Sequence, residues 1–151
     1  MENIRIYCEN TGKYEDVPMG STLKSLSERI CPSVDARCGN DMPVLAALVD
    51  RKLVSLDYKV INPHNVTFIG YDHPDGRRTY IRSLCFVLQK VVREMFPDKV
   101  LVIDYSLPSG LYCEIQEPHA MEDGRPCRCF LTDETIEAIE TRMFQVIHED
   151  I

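Results

Sequence analysis

Residues 79–96, TYIRSLCFVLQKVVREMF, decide the fold expected for the second half of this chain. Apolar side chains recur there at spacings of three and one, which is the pattern of a helix buried along one side. We therefore predict a helix from about Thr79 to Phe96, ended by Pro97 and Asp98. The predicted buried side comprises Ile81, Leu84, Cys85, Leu88, Val91, Val92 and Met95.

Arg82 and Phe86 lie four residues apart near the start of this predicted helix, so they share one of its faces. Two histidines at that spacing would be able to share a metal ion or a substrate. Neither arginine nor phenylalanine ligates a metal, and phenylalanine cannot transfer a proton. The helix thus has the spacing of an active site without its chemistry, and Phe86 is expected to fill core space or a cleft.

The composition is that of a globular protein, with 44% hydrophobic and 27% charged residues among 151. No apolar run approaches the ~20 residues of a membrane helix, and the N-terminus lacks the pattern of a secretory signal. We therefore expect a cytoplasmic protein that has no membrane partner. The net charge of −7 disfavours broad nonspecific binding to nucleic acid, although an acidic chain can still present a local basic face.

The first part of the chain predicts a small α+β unit. Apolar runs indicate strands at 3–8, 14–17, 44–49, 53–56, 58–60 and 66–70. Thr22 is a good N-cap for a helix that Pro32 ends, and the polar stretch 33–43 is predicted to be a loop. The breaker cluster Asp72–Gly76 marks the predicted boundary. The predicted domains are therefore 1–71 and 72–151.

After the long helix, the pattern predicts a hairpin, an irregular stretch and a last helix. Extended segments are predicted at 100–103, 111–115 and 128–131. Residues 117–126 are predicted to be irregular. Thr132 is predicted to cap the last helix, whose buried stripe comprises Ile136, Ile139, Met143 and Val146 or Ile147. Because the chain stops directly after this helix, we expect it to be truncated at its C-terminus.

Motifs for nucleotide chemistry are absent from the sequence, which has neither GxxxxGK[ST] nor GxGxxG. Seven scattered cysteines favour free thiols in a reducing compartment. Cys127 and Cys129, with Cys113 and His119 upstream, offer the ligand types of a zinc site. Their spacing differs from the usual pairs of CxxC, so ordinary thiols are the simpler interpretation and no metal site is predicted.

Arg77, Arg78 and Arg82 are the candidate binding residues, and Lys90 and Arg93 extend this basic group along the helix. One interpretation is that they contact RNA phosphates or another anionic ligand. The alternative is a solvated helix face whose charges pair with nearby acids. The sequence leaves both interpretations open, and it gives no oligomeric state.

Residues 1–70 resemble the TGS domain, a ubiquitin-like β-grasp module at the N-terminus of threonyl-tRNA synthetases. The resemblance rests on Val17-Pro18-Met19-Gly20-Ser21-Thr22-Leu23, where the family has a VPxGTTL type of helix entry. It also rests on residues 46–57, AALVDRKLVSLD, which resemble the family's AAxVNGxLVDL.

Residues 73–147 resemble the next domain of those synthetases, the second additional domain that hydrolyses mischarged tRNA. The resemblance runs through the helix, the stretch 109–115 (SGLYCEI) and the stretch 131–140 (LTDETIEAIE). The family has HSxAH at the helix start, whereas this chain has Arg82-Ser83-Leu84-Cys85-Phe86. Arg82 and Phe86 therefore stand at the positions of both editing histidines, and the resemblance implies a site without its catalytic groups.

The same pair of domains, with the histidines lost, also resembles the N-terminal half of a bacterial uridine (nucleoside) kinase family, in which a P-loop domain follows. Residues 80–88, YIRSLCFVL, carry this resemblance. It implies a noncatalytic accessory, regulatory or ligand-binding region, with the chain's own C-terminal kinase domain as partner. ATP and Mg²⁺ would then be expected only in that downstream domain, and no cofactor in this chain. The alternatives are a tRNA-editing fragment and an RNA- or nucleotide-sensing module.

Overall fold

The computed structural model describes residues 2–31, 43–108, 110–122 and 125–149. The chain forms two compact units, Met1–Arg82 and Ser83–Ile151, which are described separately below. Helices and sheets occur in both, so the predicted α+β class is confirmed. Within the described residues, no helix is long and apolar enough to cross a membrane.

The first unit is built on a five-stranded sheet in the order β2-β1-β7-β4-β5. Its elements are β1 (Asn3–Cys8), β2 (Lys13–Pro18), β3 (Ser21–Thr22), α1 (Leu23–Ile30), β4 (Ala46–Val49), β5 (Lys52–Val54), β6 (Lys59–Val60) and β7 (Asn65–Ile69). β1 pairs with β2 antiparallel and with β7 parallel, and β3 pairs with β6. A hairpin and helix followed by strands that insert beside the first strand is the predicted β-grasp arrangement.

The helix α1 begins where the sequence predicts it, because Thr22 caps it. The Thr22 side-chain oxygen accepts a hydrogen bond from the backbone N–H of Ser25 at 3.3 Å. Leu23 and Leu26 then point into a core that includes Ile6, Cys8, Val17, Val60, Val66 and Phe68. Most of the predicted loop at 33–43 lies outside the described residues.

The turn between β4 and β5 places two residues, Asp50 and Arg51, in the left-handed region, with φ of 48° and 67°. Two-residue hairpin loops favour Asn-Gly or Asp-Gly there, because glycine has no Cβ to clash. Asp50 is held by the backbone N–H of Asn65 at 3.0 Å and by Nδ1 of His64 at 2.6 Å. Those two hydrogen bonds lower the pKa of Asp50. Arg51 is therefore the strained member of the turn.

Replacing Arg51 with glycine is expected to stabilise the first unit by about 0.5–1 kcal/mol, because it relieves the left-handed strain. Arg51→Ala is the matched control, since it removes the same charge but keeps the Cβ. Urea denaturation of both variants measures the difference. A gain in Arg51→Ala equal to that in Arg51→Gly would show that charge, and not backbone strain, is responsible.

The long helix α2 spans Pro74–Met95, so the predicted start at about Thr79 is wrong. Proline suits the first position of a helix, where its missing N–H costs no hydrogen bond. The backbone N–H of Asp75 donates to Nδ1 of His73 at 3.2 Å, and that of Arg77 donates to the His73 carbonyl at 2.9 Å. The breaker residues thus open the helix. The two compact units divide inside α2, and the boundary after Tyr71 stays a prediction.

The second unit contains the later turns of α2, a three-stranded antiparallel sheet in the order β10-β9-β8, and a last helix. The further elements are β8 (Val100–Leu107), β9 (Gly110–Glu122), β10 (Arg125–Arg128) and α3 (Asp133–His148). Val91, Val92, Ile115, Ile139 and Val146 form the buried core.

The prediction that residues 117–126 are irregular is wrong, because β9 continues to Glu122 and pairs with β10. The pairing shifts between Pro126 and Cys127, so that Glu117 and Met121 of β9 face adjacent residues of β10. Pro118 falls within this bulge, where the strand needs no ladder hydrogen bond from it. Pro118 therefore occupies a position in β9 that tolerates a proline.

Helix α3 is capped by Thr132 as predicted, with Asp133 and Glu134 in its first turn. Ile139 and Val146 are buried and Met143 packs against the core. Ile136 is 49% exposed, so its predicted place in the buried stripe is wrong. The buried side follows positions 139, 143 and 146, which leaves Ile136 at its solvent margin.

Glu114 on β9 is an enclosed carboxylate, with its side chain only 7% exposed. The Gln116 amide donates to it at 3.0 Å, the Tyr112 hydroxyl also donates, and the Arg128 guanidinium lies at 3.0 Å. These contacts hold the pKa of Glu114 below its usual range, and the carboxylate raises the pKa of Tyr112. Glu114 is therefore charged in the folded unit.

Replacing Glu114 with glutamine is expected to make the second unit less stable at neutral pH and less sensitive to acid. Because the folded-state pKa is lowered, the ionised group stabilises the fold fully above its unfolded pKa of about 4.3. That contribution is lost as the pH falls through the folded pKa. Thermal unfolding between pH 3 and 7 measures it, with exposed Glu140→Gln as control. Parallel curves for the wild type and Glu114→Gln would contradict the assignment.

Candidate functional site

The three arginines predicted to bind a ligand lie on the first turns of α2, within the first unit. Two tyrosines accompany them, one before the helix and one on it. We call Tyr71, Arg77, Arg78, Tyr80 and Arg82 the arginine–tyrosine patch. All five side chains are exposed.

A contact between two glycines sets the position of the patch. Gly70 ends the strand region and Gly76 lies in the first turn of α2, and both are buried. A Cβ at position 76 would lie 1.9 Å from the Gly70 carbonyl oxygen, so no side chain fits there. Since Tyr71 follows one glycine and Arg77 follows the other, the close approach brings those two residues together.

Within the patch, Arg77 lies over the ring of Tyr71, with Cζ 5.5 Å from the ring centroid. The ring of Tyr80 meets Tyr71 edge-on, with centroids 5.3 Å apart and an angle of 90° between the planes. A guanidinium that contacts an aromatic ring in this way can still donate its N–H groups to an anion. Tyr71 is 39% exposed and Tyr80 is 42% exposed, so ring surface is also accessible.

The other two arginines of the patch are less constrained. Nη2 of Arg78 lies 3.3 Å from Oδ1 of Asp75, but the Arg78 side chain is 72% exposed, and such surface pairs contribute little to stability. Within the part of the chain that the structure describes, Arg82 makes no ion pair or side-chain hydrogen bond. Arg77 and the two tyrosines thus offer positive charge beside aromatic surface, the combination that binds phosphate and stacks on bases. Arg78 and Arg82 are four residues apart and add positive charge on an adjoining face of α2.

Lys90 and Arg93, the further members of the predicted basic group, belong to the second unit. Lys90 pairs with Glu94 at 2.5 Å, and Glu94 also contacts Arg142 at 3.2 Å. For Lys90 the interpretation as a solvated face with paired charges is therefore the better one. Arg93 is exposed.

Phe86 is 75% exposed, so the prediction that it fills core space or a cleft is wrong. The side of α2 that packs in the second unit carries Val87, Leu88, Val91 and Val92. Phe86 lies four residues before Lys90, on the polar side of the helix. The substitution of a histidine-type position by phenylalanine thus exposes an aromatic ring instead of enlarging the core.

Two of the thiols that have the chemistry of zinc ligands contact other side chains instead. Burial raises the pKa of the Cys113 thiol, with a further contribution from Cys85. Cys129 contacts Lys99 at 3.3 Å and Glu117 at 3.6 Å. No group of three or more His, Cys, Asp or Glu side chains that could hold a metal ion occurs among the described residues.

Sequence reasoning missed both tyrosines of the patch and the cluster of Lys99, Glu117 and Cys129. The tyrosines could have been found from the sequence, since Tyr71 and Tyr80 stand on either side of Arg77 and Arg78. The cluster had none, because Lys99 and Cys129 are 30 residues apart.

Comparison with curated proteins identifies several threonine–tRNA ligases as relatives. The chain is 24% identical over 148 residues to the enzyme of Clostridium kluyveri, covering 98% of this chain and 21% of the relative. It is 25% identical over 142 residues to the enzyme of Desulforamulus reducens, covering 93% of this chain and 20% of the relative. It is 27% identical over 107 residues to the enzyme of Fusobacterium nucleatum, covering 71% of this chain and 16% of the relative. No protein-family model matches the chain.

The named relatives agree with the resemblance to threonyl-tRNA synthetases, and none of them is a nucleoside kinase. The chain spans about a fifth of the length of the curated relatives it matches. Over nearly its whole length, then, this chain is similar to a segment of threonine–tRNA ligases.

Proposed function

We propose that this chain is a noncatalytic RNA-binding region that contacts tRNA-like RNA through the arginine–tyrosine patch. One observation carries the proposal: the Arg77 guanidinium lies over the ring of Tyr71, which Tyr80 also contacts, and the exposed Arg82 follows on the same helix. An exposed guanidinium beside accessible aromatic rings can bind phosphates and bases. The similarity to threonine–tRNA ligases, which by name act on tRNA, supports RNA as the ligand class.

The acidic net charge of −7 limits the way in which RNA can bind. Long-range attraction between this chain and a phosphate backbone is weak, so binding depends on local contacts. A small patch with stacking surface fits that requirement better than an extended basic groove. We therefore expect modest affinity for structured RNA that presents an unpaired end or loop.

The editing alternative has the support of the same relatives, but the residues argue against hydrolysis by this chain. Arg82 and Phe86 supply neither a metal ligand nor a general base where the resembling family has two histidines. We expect a mischarged threonyl-type tRNA to lose its amino acid at the spontaneous rate in the presence of this protein. Accelerated deacylation would favour the editing alternative.

The uridine kinase alternative concerns the larger protein, and the named relatives do not support it. It rests on the sequence of residues 80–88 and on the loss of both histidines. An in-frame GxxxxGK[ST] encoded after Ile151 would favour it. The RNA-binding proposal is independent of that outcome, because the patch lies wholly within the first unit.

Titration of fluorescently labelled tRNA with the whole chain tests the proposed function. We expect saturable binding with a dissociation constant below roughly 10⁻⁴ M at about 0.1 M salt, weakening as salt rises. Unlabelled RNA should displace the label, whereas free uridine or ATP at the same concentration should not. Absence of binding at low salt would contradict the proposal, and displacement by free nucleotides alone would favour a nucleotide-sensing module.

A further inference from the structure

Three side chains of the second unit form a cluster that the proposed RNA-binding role does not use. Lys99 follows α2, Glu117 lies on β9, and Cys129 follows β10. Nζ of Lys99 lies 3.3 Å from Sγ of Cys129 and 3.1 Å from Oε1 of Glu117. Sγ of Cys129 lies 3.6 Å from the same carboxylate oxygen. A thiol, a carboxylate and an ammonium group therefore meet at one point.

The surroundings hold these groups in place without closing them off. The backbone N–H of Cys129 donates to the Ile115 carbonyl at 2.8 Å, and its side chain packs against the core. The backbone of Lys99 is also held, because its N–H donates to the Phe96 carbonyl at 3.0 Å. The side chains of Lys99 and Glu117 are 31% and 47% exposed and Cys129 is half-buried, so the cluster lies at the surface of the unit.

The thiol of Cys129 is a possible nucleophile, the carboxylate of Glu117 a possible base, and the ammonium group of Lys99 a nearby cation. Hydrogen bonds to Cys129 and Glu117 raise the pKa of Lys99, which keeps it protonated, and Lys99 lowers the pKa of Glu117, which keeps it ionised. A carboxylate next to a thiol can take its proton, and an ammonium group can supply a proton to a leaving oxygen. Those are the two proton transfers that oxidation of a thiol by a peroxide needs.

We propose that Cys129 is a site of reversible oxidation by hydroperoxides, with Glu117 as proton acceptor and Lys99 as proton donor. The sulfur attacks one peroxide oxygen, so an S–O bond forms while the O–O bond breaks. The thiol proton passes to Glu117, and the leaving oxygen takes a proton from Lys99 and departs as water. Glu117 then returns its proton to Lys99.

The step balances as one thiol and one hydrogen peroxide giving one sulfenic acid and one water. The sulfur is oxidised by two electrons and the peroxide is reduced by two. A low-molecular-weight thiol reverses the change by forming a mixed disulfide and then reducing it. Lys99 remains beside the new oxygen and can donate a hydrogen bond to it.

Peroxide treatment of the reduced whole chain tests this proposal. Hydrogen peroxide is added with a cyclic 1,3-diketone that captures sulfenic acids, and labelled peptides are quantified by mass spectrometry over time. Cys85, Cys113 and Cys127 are half-buried, as Cys129 is, and we expect Cys129 to be labelled ahead of all three. Equal or faster labelling of any of those three would overturn the proposal without the need for a variant.

Variants then test whether Lys99 and Glu117 speed the oxidation of Cys129 or whether exposure of the thiol alone explains its rate. Lys99→Met and Glu117→Gln are each expected to slow labelling of Cys129 by roughly threefold to tenfold. Lys90→Met is the matched control, since Lys90 pairs with Glu94 and should leave the rate unchanged. Circular dichroism confirms that each variant is folded. An unchanged rate in both folded cluster variants would show that exposure alone determines the reactivity.

Discussion

Gly76→Ala is expected to destabilise the first unit by about 1–3 kcal/mol, because the added methyl group would overlap the Gly70 carbonyl. A loss of stability, as opposed to a gain, would show that position 76 is in close contact. In an ordinary helix interior, alanine is about 1 kcal/mol more favourable than glycine, so a residue free of contacts would give a gain. Denaturant unfolding of the purified variant measures the difference.

Gly110→Ala is the matched control for that substitution. A Cβ at position 110 meets nothing within 4 Å, and we expect a change of less than about 0.5 kcal/mol there. Because Gly76 also brings Tyr71 next to Arg77, Gly76→Ala should weaken RNA binding as well. A stabilised Gly76→Ala variant that binds RNA normally would contradict the close helix–strand contact.

The double substitution Arg77→Ala, Arg82→Ala is expected to weaken RNA binding by about tenfold to a hundredfold, the range for loss of stacking and phosphate contacts. The slope of log affinity against log salt should also become shallower by roughly one for each phosphate contact removed. Fluorescence anisotropy at several salt concentrations measures both quantities.

Arg5→Ala is a close control for the patch, since the first unit carries a second arginine–tyrosine pair outside it. Arg5 lies over the ring of Tyr14 at 5.8 Å and pairs with Asp16 at 3.4 Å. Its removal costs one positive charge and a comparable ring contact. We expect Arg5→Ala to keep nearly the wild-type affinity. Because the double variant removes two charges, a loss in log affinity about half as large in Arg5→Ala would point to net charge instead of the patch.

Local signals predicted the elements whose ends are determined by neighbouring residues. Thr22 and Thr132 cap their helices through hydrogen bonds to residues three positions later, and such caps can be read directly from sequence. The alternating residues of β1 and β2 likewise carry the hairpin. The β-grasp order followed from the resemblance, since no local signal specifies that β1 pairs with β7.

The sequence failed where tertiary contacts override local preference. Gly76 would end most helices, but its contact with Gly70 makes glycine the residue that fits, so α2 begins earlier. Pro118 would interrupt a strand, but a bulge in β9 accommodates it. Phe86 would be expected in a core, yet its position on α2 faces away from the packed side.

The positive charge of the candidate site could be predicted from the sequence, but the contacts among its side chains could not. Arg77, Arg78 and Arg82 were evident as a basic group, whereas their tyrosine partners needed the path of the chain between Gly70 and Gly76. Lys99, Glu117 and Cys129 come from three separate segments: the turn after α2, strand β9 and the residues after β10. Such convergence depends on sheet register, which a single sequence does not specify.

The location of bound RNA tests the central claim most directly. We would titrate tRNA into isotopically labelled whole chain and follow backbone and arginine side-chain NMR signals. We expect saturable shifts concentrated at residues 70–82, with the largest at Arg77 and Arg82. Saturable shifts confined to other parts of the chain, or no shifts at low salt, would contradict it.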